Sequence, residues 1–354
     1  MIPKRFTPLI AAVCLCSATA SAENFVPLKW SGFATTGVSF TDNKTPYLIP
    51  RFDNNLNFVG DSVLGLQADY QLDSKIRGSV QMVARNVNDY FDVKAEWAYV
   101  AFQLDDSTQA RVGRLRIPAF LTSKYYFVGN AYLSARPNSD VYDILLFTDY
   151  SGTDAIKTIN FKNSTLTLQP FVGQVDTDTI VFAQKSHFKS SRLFGLTFNY
   201  EAANFSFRGT GGRAELDATF PGSALGNTEV RSDAEFQSFG ATYQWRNWEF
   251  MSEYSGTQVE NQLLGDDDAT YLTVAYHMGK YTPNITVSTR DTDTIIGSTN
   301  DQIIAGLRYD YSSRLDFKFE LQHGRAKKPS TGLFQETPDR YTVNMLTMNM
   351  DLVF

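Results

Sequence analysis

The last ten residues, Met345-Leu346-Thr347-Met348-Asn349-Met350-Asp351-Leu352-Val353-Phe354, alternate apolar and mostly polar side chains and stop on an aromatic residue. A β-strand shows each face every second residue. Leu346, Met348, Met350 and Leu352 therefore share one face and Thr347, Asn349 and Asp351 the other, with Met345 and Val353 as apolar exceptions. A strand with one greasy and one wet face suits a wall between lipid and a water-filled lumen. A half-buried strand of a soluble sandwich has the same alternation, so the rest of the chain must decide.

Met1 to Ala22 reads as a secretory leader: Lys4 and Arg5 open it, Leu9 to Cys16 are apolar, and Ala20-Ser21-Ala22 forms a small-residue cleavage site. The mature chain is expected to begin at Glu23. Both cysteines, Cys14 and Cys16, fall inside the leader, so the mature chain has no disulfide and relies on backbone pairing and packing. Removing Lys4 and Arg5 from 32 basic residues leaves 30 against 38 acidic ones, a net charge of −8. That balance argues against nucleic acid as a partner. No mature stretch approaches the roughly 18 to 20 apolar residues of a spanning helix. A membrane-spanning reading then requires strands, and strands in hydrocarbon must close on themselves so that every amide is paired.

Alternation recurs in segments of about ten residues, the length of a tilted spanning strand. Leu64 to Leu72 and Ile76 to Arg85 carry it in the same parity, separated only by Asp73-Ser74-Lys75. Short polar turns of this kind follow at Asp105 to Thr108, Lys162 to Ser164, Glu201 to Asn204, Arg246-Asn247, Gly279-Lys280 and Ser312-Ser313. Longer polar or Gly-rich stretches fall between them: Thr41 to Pro50, Asn86 to Asp92, Ile117 to Thr148, Asp176 to Ser190, Glu215 to Ala234, Glu260 to Asp268, Asp291 to Asp301 and Arg325 to Arg340. Seven turns alternating with eight loops predict an all-β, 16-stranded antiparallel transmembrane barrel as one domain, residues 23–354, with short turns periplasmic and long loops outside.

Motifs for chemistry are weak. Asp266-Asp267-Asp268 lacks the spaced ligands and distal Glu of a calcium loop and reads as a solvated loop tip. Gly209-Thr210-Gly211-Gly212 is followed by no Gly-Lys-Ser/Thr and reads as a loop start. His187 is expected in a loop, His277 at the periplasmic end of a strand and His323 at the external end of another, none beside a nucleophile motif. No cofactor or metal is implied.

The sharper pattern is basic. Arg77, Ser79, Gln81 and Arg85 share the polar face of one segment, and Arg111, Arg114 and Arg116 follow shortly afterwards. An arginine on the lipid face near the midplane costs roughly 2 to 4 kcal/mol, so these side chains should line water or bind lipopolysaccharide phosphates at the rim. Strict alternation puts Arg111 inside and Arg114 and Arg116 outside, but Gly113 permits a bulge and Pro118 ends the ladder. The longest loop, Ala119 to Thr148, carries Phe120, Tyr125, Tyr126, Phe127, Tyr132, Tyr142 and Phe147. So much ring surface is unusual in a loop exposed to water, which predicts that it folds inward, bringing Asp140 and Asp143 against the arginines.

Glu96-Trp97-Ala98-Tyr99-Val100-Ala101-Phe102, then Arg111-Val112-Gly113-Arg114, then Arg136-Pro137 and Val141-Tyr142, resemble the fourth and fifth strands and constriction loop of the Gram-negative general porins. The leader, Trp30-Ser31-Gly32-Phe33 and the terminal Phe354 fit the same superfamily. The resemblance implies a barrel, usually trimeric, in the outer membrane among lipid and lipopolysaccharide, with the third loop folded into the pore. It matches Arg114 to a pore-lining arginine and Asp140 and Asp143 to loop carboxylates. Asn138-Ser139-Asp140 departs from the more acidic loop tip of the best-known members.

The expected function is passive diffusion of small hydrophilic solutes and ions without catalysis. The pore constriction is expected from Arg77, Arg85, Arg111, Arg114, Arg116, Asp140 and Asp143, with weak anion preference because arginine dominates the narrowest wall. One alternative is a channel selective for sugars or anions, in which Trp97 and Tyr99 face inward by parity. The other is an outer-membrane hydrolase using one of the three histidines.

Overall fold

A computed structural model describes residues 28–354 apart from 88–89, 146, 182–183, 224–225, 262–264 and 294–297. The leader expected over Met1–Ala22 and the mature start at Glu23 lie outside the described residues. The strands are β1 (Leu28–Thr41), β2 (Val63–Gln71), β3 (Ile76–Val87), β4 (Tyr90–Asp105), β5 (Thr108–Arg116), β6 (Asp149–Asn160), β7 (Ser164–Val181) and β8 (Gln184–Ala202). They continue as β9 (Phe205–Ser223), β10 (Gly226–Trp245), β11 (Trp248–Val259), β12 (Asp267–Tyr276), β13 (Tyr281–Thr292), β14 (Asn300–Ser312), β15 (Leu315–Ala326) and β16 (Thr342–Val353). Each pairs antiparallel with its neighbours, and β1 pairs with β16 to close a 16-stranded barrel. Among the described residues no helix is long and apolar enough to cross a membrane.

Closure runs from Phe33 opposite Val353 to Thr41 opposite Met345. Beyond it, the Gly32 amide donates to the Phe354 carbonyl at 2.8 Å, and the Phe354 amide donates back to the Gly32 carbonyl at 2.9 Å. No strand edge is left unpaired, which hydrocarbon would punish. The alternation read in β16 is real: Thr347, Asn349 and Asp351 are buried, while Met348, Met350 and Leu352 are exposed on the outer, apolar face. Met345 is buried on the polar face because Tyr47 and Phe334, from loops 42–62 and 327–341, cover it. Trp30, Phe102, Phe161, Trp245, Trp248, Tyr281, Tyr311 and Phe354 ring the end with the short turns, as amphipathic aromatics do at a membrane interface.

All seven turns lie where the sequence places them. The long loops are less regular. The first spans 42–62 rather than ending at Pro50, and its apolar Leu56, Phe58 and Val59 stay exposed outside the named strands. The stretches Asp176 to Ser190 and Glu215 to Ala234, expected as loops, are mostly strand, and β7 to β10 run 18 to 20 residues each. Their polar residues are one face of a sheet: Asp176, Lys189, Asp217 and Arg231 stand opposite one another and form ion pairs, while Phe188, Ala218 and Val230 bury the reverse face. Cross-strand charge pairs of this kind support pairing in water. Gly209 to Gly212 accordingly lie within β9, not at a loop start. Asp267 begins β12 and pairs with Arg290, so the acidic run is not wholly a loop tip. His187 sits on β8 rather than in a loop.

Candidate functional site

Residues 117–148 connect β5 to β6. Pro118 cannot donate to a ladder and ends β5. Its carbonyl instead accepts from Thr197 Oγ1 at 3.0 Å, Thr210 Oγ1 at 2.9 Å and the Arg208 guanidinium, all on the polar faces of β8 and β9. Phe120, Val141, Tyr142 and Ile144 then pack with Leu115, Tyr150, Phe171, Leu193 and Tyr271 in the largest apolar cluster. Of the loop's aromatic residues, Phe120, Tyr132 and Tyr142 are buried, Tyr126, Phe127 and Phe147 half-buried, and Tyr125 exposed.

Polar anchors extend around the wall. Glu253 on β11 accepts from the Leu121 amide and the Tyr142 hydroxyl, each at 2.8 Å. The four-residue helix α1 (Ser139–Tyr142) is capped by the Asn138 side chain, which accepts from the Val141 amide at 3.3 Å. Asp140 on α1 is fully buried and accepts from Ser288 Oγ on β13 at 2.6 Å and Asn300 Nδ2 on β14 at 3.1 Å. Burial raises its pKa, and these donors oppose the rise. The 3-10 turn Gly129–Ala131 reaches farther: Lys318 donates to the Gly129 carbonyl and Asn130 Nδ2 donates to Asp316 Oδ2 at 2.5 Å. Asp316 is the second residue of β15, next to a short turn at the opposite end of the strand from the long loops. Lys318, fully buried, also lies 3.1 Å from Asp351 on β16.

The arginines divide by partner. Arg111 Nε donates to Asp154 Oδ1 on β6 at 2.9 Å, and Arg114 lies 2.6 Å from Asp149, which Lys94 also contacts at 2.9 Å. Arg116 pairs with Glu96 and stands over the rings of Tyr126 and Phe127. Its side chain is only 7% exposed and meets the loop, so strict alternation fails here. Two irregularities lie beside it. In β4 the outward residues are Phe91 and Val93 before Glu96 but Val100, Phe102 and Leu104 after it, and the pairing with β3 shifts between Gln81 and Met82. Glu96 is the extra residue of a bulge, so Glu96 and Trp97 both meet the polar side. On β5, Gly113 has φ +138°, where a Cβ would lie 2.3 Å from the Ala98 carbonyl oxygen, so the position demands glycine.

Arg77 and Arg85 form no ion pair among the described residues; Arg85 lies 5.1 Å from the centre of the Phe127 ring, and Arg116 lies 4.9 Å from it. Asp143 is exposed and likewise forms no ion pair among the described residues. Loop and wall thus bring Arg85, Arg116 and the Asp140–Asp143 region into one neighbourhood, while Arg111 and Arg114 are held by β6. Sequence reading passed over Asp149, Asp154, Asp61, Glu253 and the Asp267–Arg290 pair, since nothing in one chain marks which carboxylate lies beside which arginine across strands. The histidines have separate partners: Asp178 for His187, Glu249 for His277 and Asn344 for His323. Among the described residues no group of side chains could hold a metal.

A family model described as Gram-negative porin matches residues 9–329. The chain belongs to the Gram-negative porin family. Solved structures agree on the fold. The anion-selective porin from Comamonas acidovorans is 14% identical with a TM-score of 0.64, covering 93% of this chain and 99% of that one. The trimer form of OmpT, an outer membrane protein of Vibrio cholerae, is 13% identical with a TM-score of 0.60 and the same coverage. Salmonella typhi OmpF in complex with daunomycin is 11% identical with a TM-score of 0.59, covering 92% and 97%. No curated protein matches the porin by sequence. Family membership makes this porin a diffusion channel in the outer membrane of a Gram-negative bacterium.

Proposed function

We propose that the porin is a passive channel for small hydrophilic solutes and ions, without catalysis, narrowed by residues 117–148 folded into the lumen. The supporting observation is the depth of the loop's anchors: a segment leaving β5 meets Ser288 on β13, across the barrel, and Asp316 beside a periplasmic turn. A loop lying over the outer mouth has no route to Asp316. In this reading Arg77, Arg85, Arg111, Arg114, Arg116, Asp140 and Asp143 surround the constriction unequally. Asp140 fastens the loop to the wall, and Arg111, Arg114 and Arg116 are largely neutralised by Asp154, Asp149 and Glu96. The unpaired Arg85 then faces the exposed Asp143, and the unpaired Arg77 adds positive charge nearer the short turns, a balance of charges that favours weak anion preference.

The mature porin begins after Ala22, assembles as a homotrimer and contacts outer-membrane lipid and lipopolysaccharide through its apolar face. Trimerisation is supported by the trimer form of the Vibrio cholerae protein. Purified protein in a planar bilayer should give stepwise conductance, with a reversal potential under a salt gradient on the anion side of zero. Folded protein that gives no steps would overturn the reading. Hydrolysis of lipid or peptide by that protein, lost on substitution of His187, His277 or His323, would establish the enzyme instead.

A further inference from the structure

Below the loop, toward the short turns, lies a cavity of about 330 Å³ between wall and loop. Phe33, Trp97 and Val128 give it apolar surface, and Gln67 and Gln81 line it with amides. Two cations, Lys124 on the loop and Arg314 in the β14–β15 turn, complete it, with no acidic side chain in the lining. Neither cation forms an ion pair among the described residues, and Arg208 and Arg111 add positive charge around Lys124 against a single carboxylate, Glu201. Trp97 reaches this space because the Glu96 bulge turns it inward, and its Nε1 donates to Ser79 Oγ at 3.2 Å. Trp30, Trp245 and Trp248, by contrast, are exposed on the apolar belt.

We propose that this cavity is a binding subsite for a small aromatic carboxylate, with the ring on Trp97 and the carboxylate at Lys124. A concave site with apolar walls and a few convergent polar groups is the form small-molecule sites take. An indole offers a flat stacking surface, and an ammonium without a partner retains its full attraction for a carboxylate. Acetate lacks the ring and phenol lacks the charge, so each engages half of the site. The subsite deepens the channel reading by giving the pore a solute class that lingers on its way through.

Calorimetric titration of folded, full-length porin in detergent with 4-hydroxybenzoate tests this. Saturable binding is expected, weakened about tenfold by Trp97→Leu and by Lys124→Gln, with acetate and phenol each about tenfold weaker than the probe. The same titration read as current block in a bilayer should give the same order. Heat-modifiable migration establishes that each variant is folded. Equal affinity for acetate, or unchanged affinity in both variants, would overturn the subsite. Normal conductance without binding overturns the subsite alone, whereas binding without conductance supports it and overturns the channel reading.

Discussion

Arg136 grips Asp61 with two nitrogens: Nε and Nη2 lie 3.1 and 2.9 Å from Oδ1, and Nη2 lies 2.8 Å from Oδ2. The pair ties loop 117–148 to loop 42–62, and Nη2 also donates to Thr347 Oγ1 at 3.2 Å on the wall. Hydrogen bonds to charged groups contribute about 1.5 to 3 kcal/mol each. Asp61→Asn should loosen the loop without opening the barrel. The expected record is a noisier open channel with unchanged heat-modifiability; quiet traces like those of the wild type would count against a joint between the loops.

Glu253 holds the start and the end of the same loop at once, through the Leu121 amide and the Tyr142 hydroxyl. Glu253→Leu leaves both donors buried without an acceptor, at a cost of roughly 1 to 3 kcal/mol apiece. Trypsin should then cut after Lys124 faster in the variant than in the wild type, while the strands stay protected. Equal cutting rates would show that Glu253 does not restrain the loop.

Charge preference should respond to the unpaired residues. A unit charge about 4 Å from a passing ion in water contributes about 1 kcal/mol, of opposite sign for anion and cation, so one substitution changes the permeability ratio by no more than about thirtyfold. Arg85→Ala should move the reversal potential toward cations and Asp143→Asn toward anions. Arg111→Ala and Arg114→Ala together should also move it toward cations, since Asp154 loses its arginine and Asp149 keeps only Lys94. A reversal potential indifferent to all of these would put the current elsewhere in the barrel.

Removing Phe354 takes away the last amide and carbonyl that close β16 onto β1 at Gly32. Its ring also covers Gly32, where an added Cβ would lie 2.5 Å from the ring. Barrel closure in lipid depends on complete pairing, so the deletion should sharply lower the yield of folded, heat-modifiable protein. Full yield would mean that the seam closes without it.

The wall was legible in the chain because a strand's side-chain period is two, and a membrane imposes an apolar face on every strand. Leu346 to Leu352 and the turn Asp73-Ser74-Lys75 carry that message locally. Polarity misled in the long strands: Asp176 and Lys189 look like loop residues but pair across β7 and β8.

The proposed constriction is legible in the sequence as a set of residue types and not as an arrangement. That residues 117–148 are too aromatic for open water follows from composition. Their anchors are decided by contacts between residues far apart in sequence, such as Asp140 with Ser288 and Gly129 with Lys318. Parity puts Arg116 outside, yet it is buried against Glu96, the extra residue of the β4 bulge, three residues after a glycine at φ +138°. A bulge shifts every later side chain to the other face, so alternation can be read along a strand only as far as the first irregularity. Which arginine is paired was decided by the carboxylate that neighbouring strands bring beside it, because an ion pair needs proximity and only the closed barrel creates it.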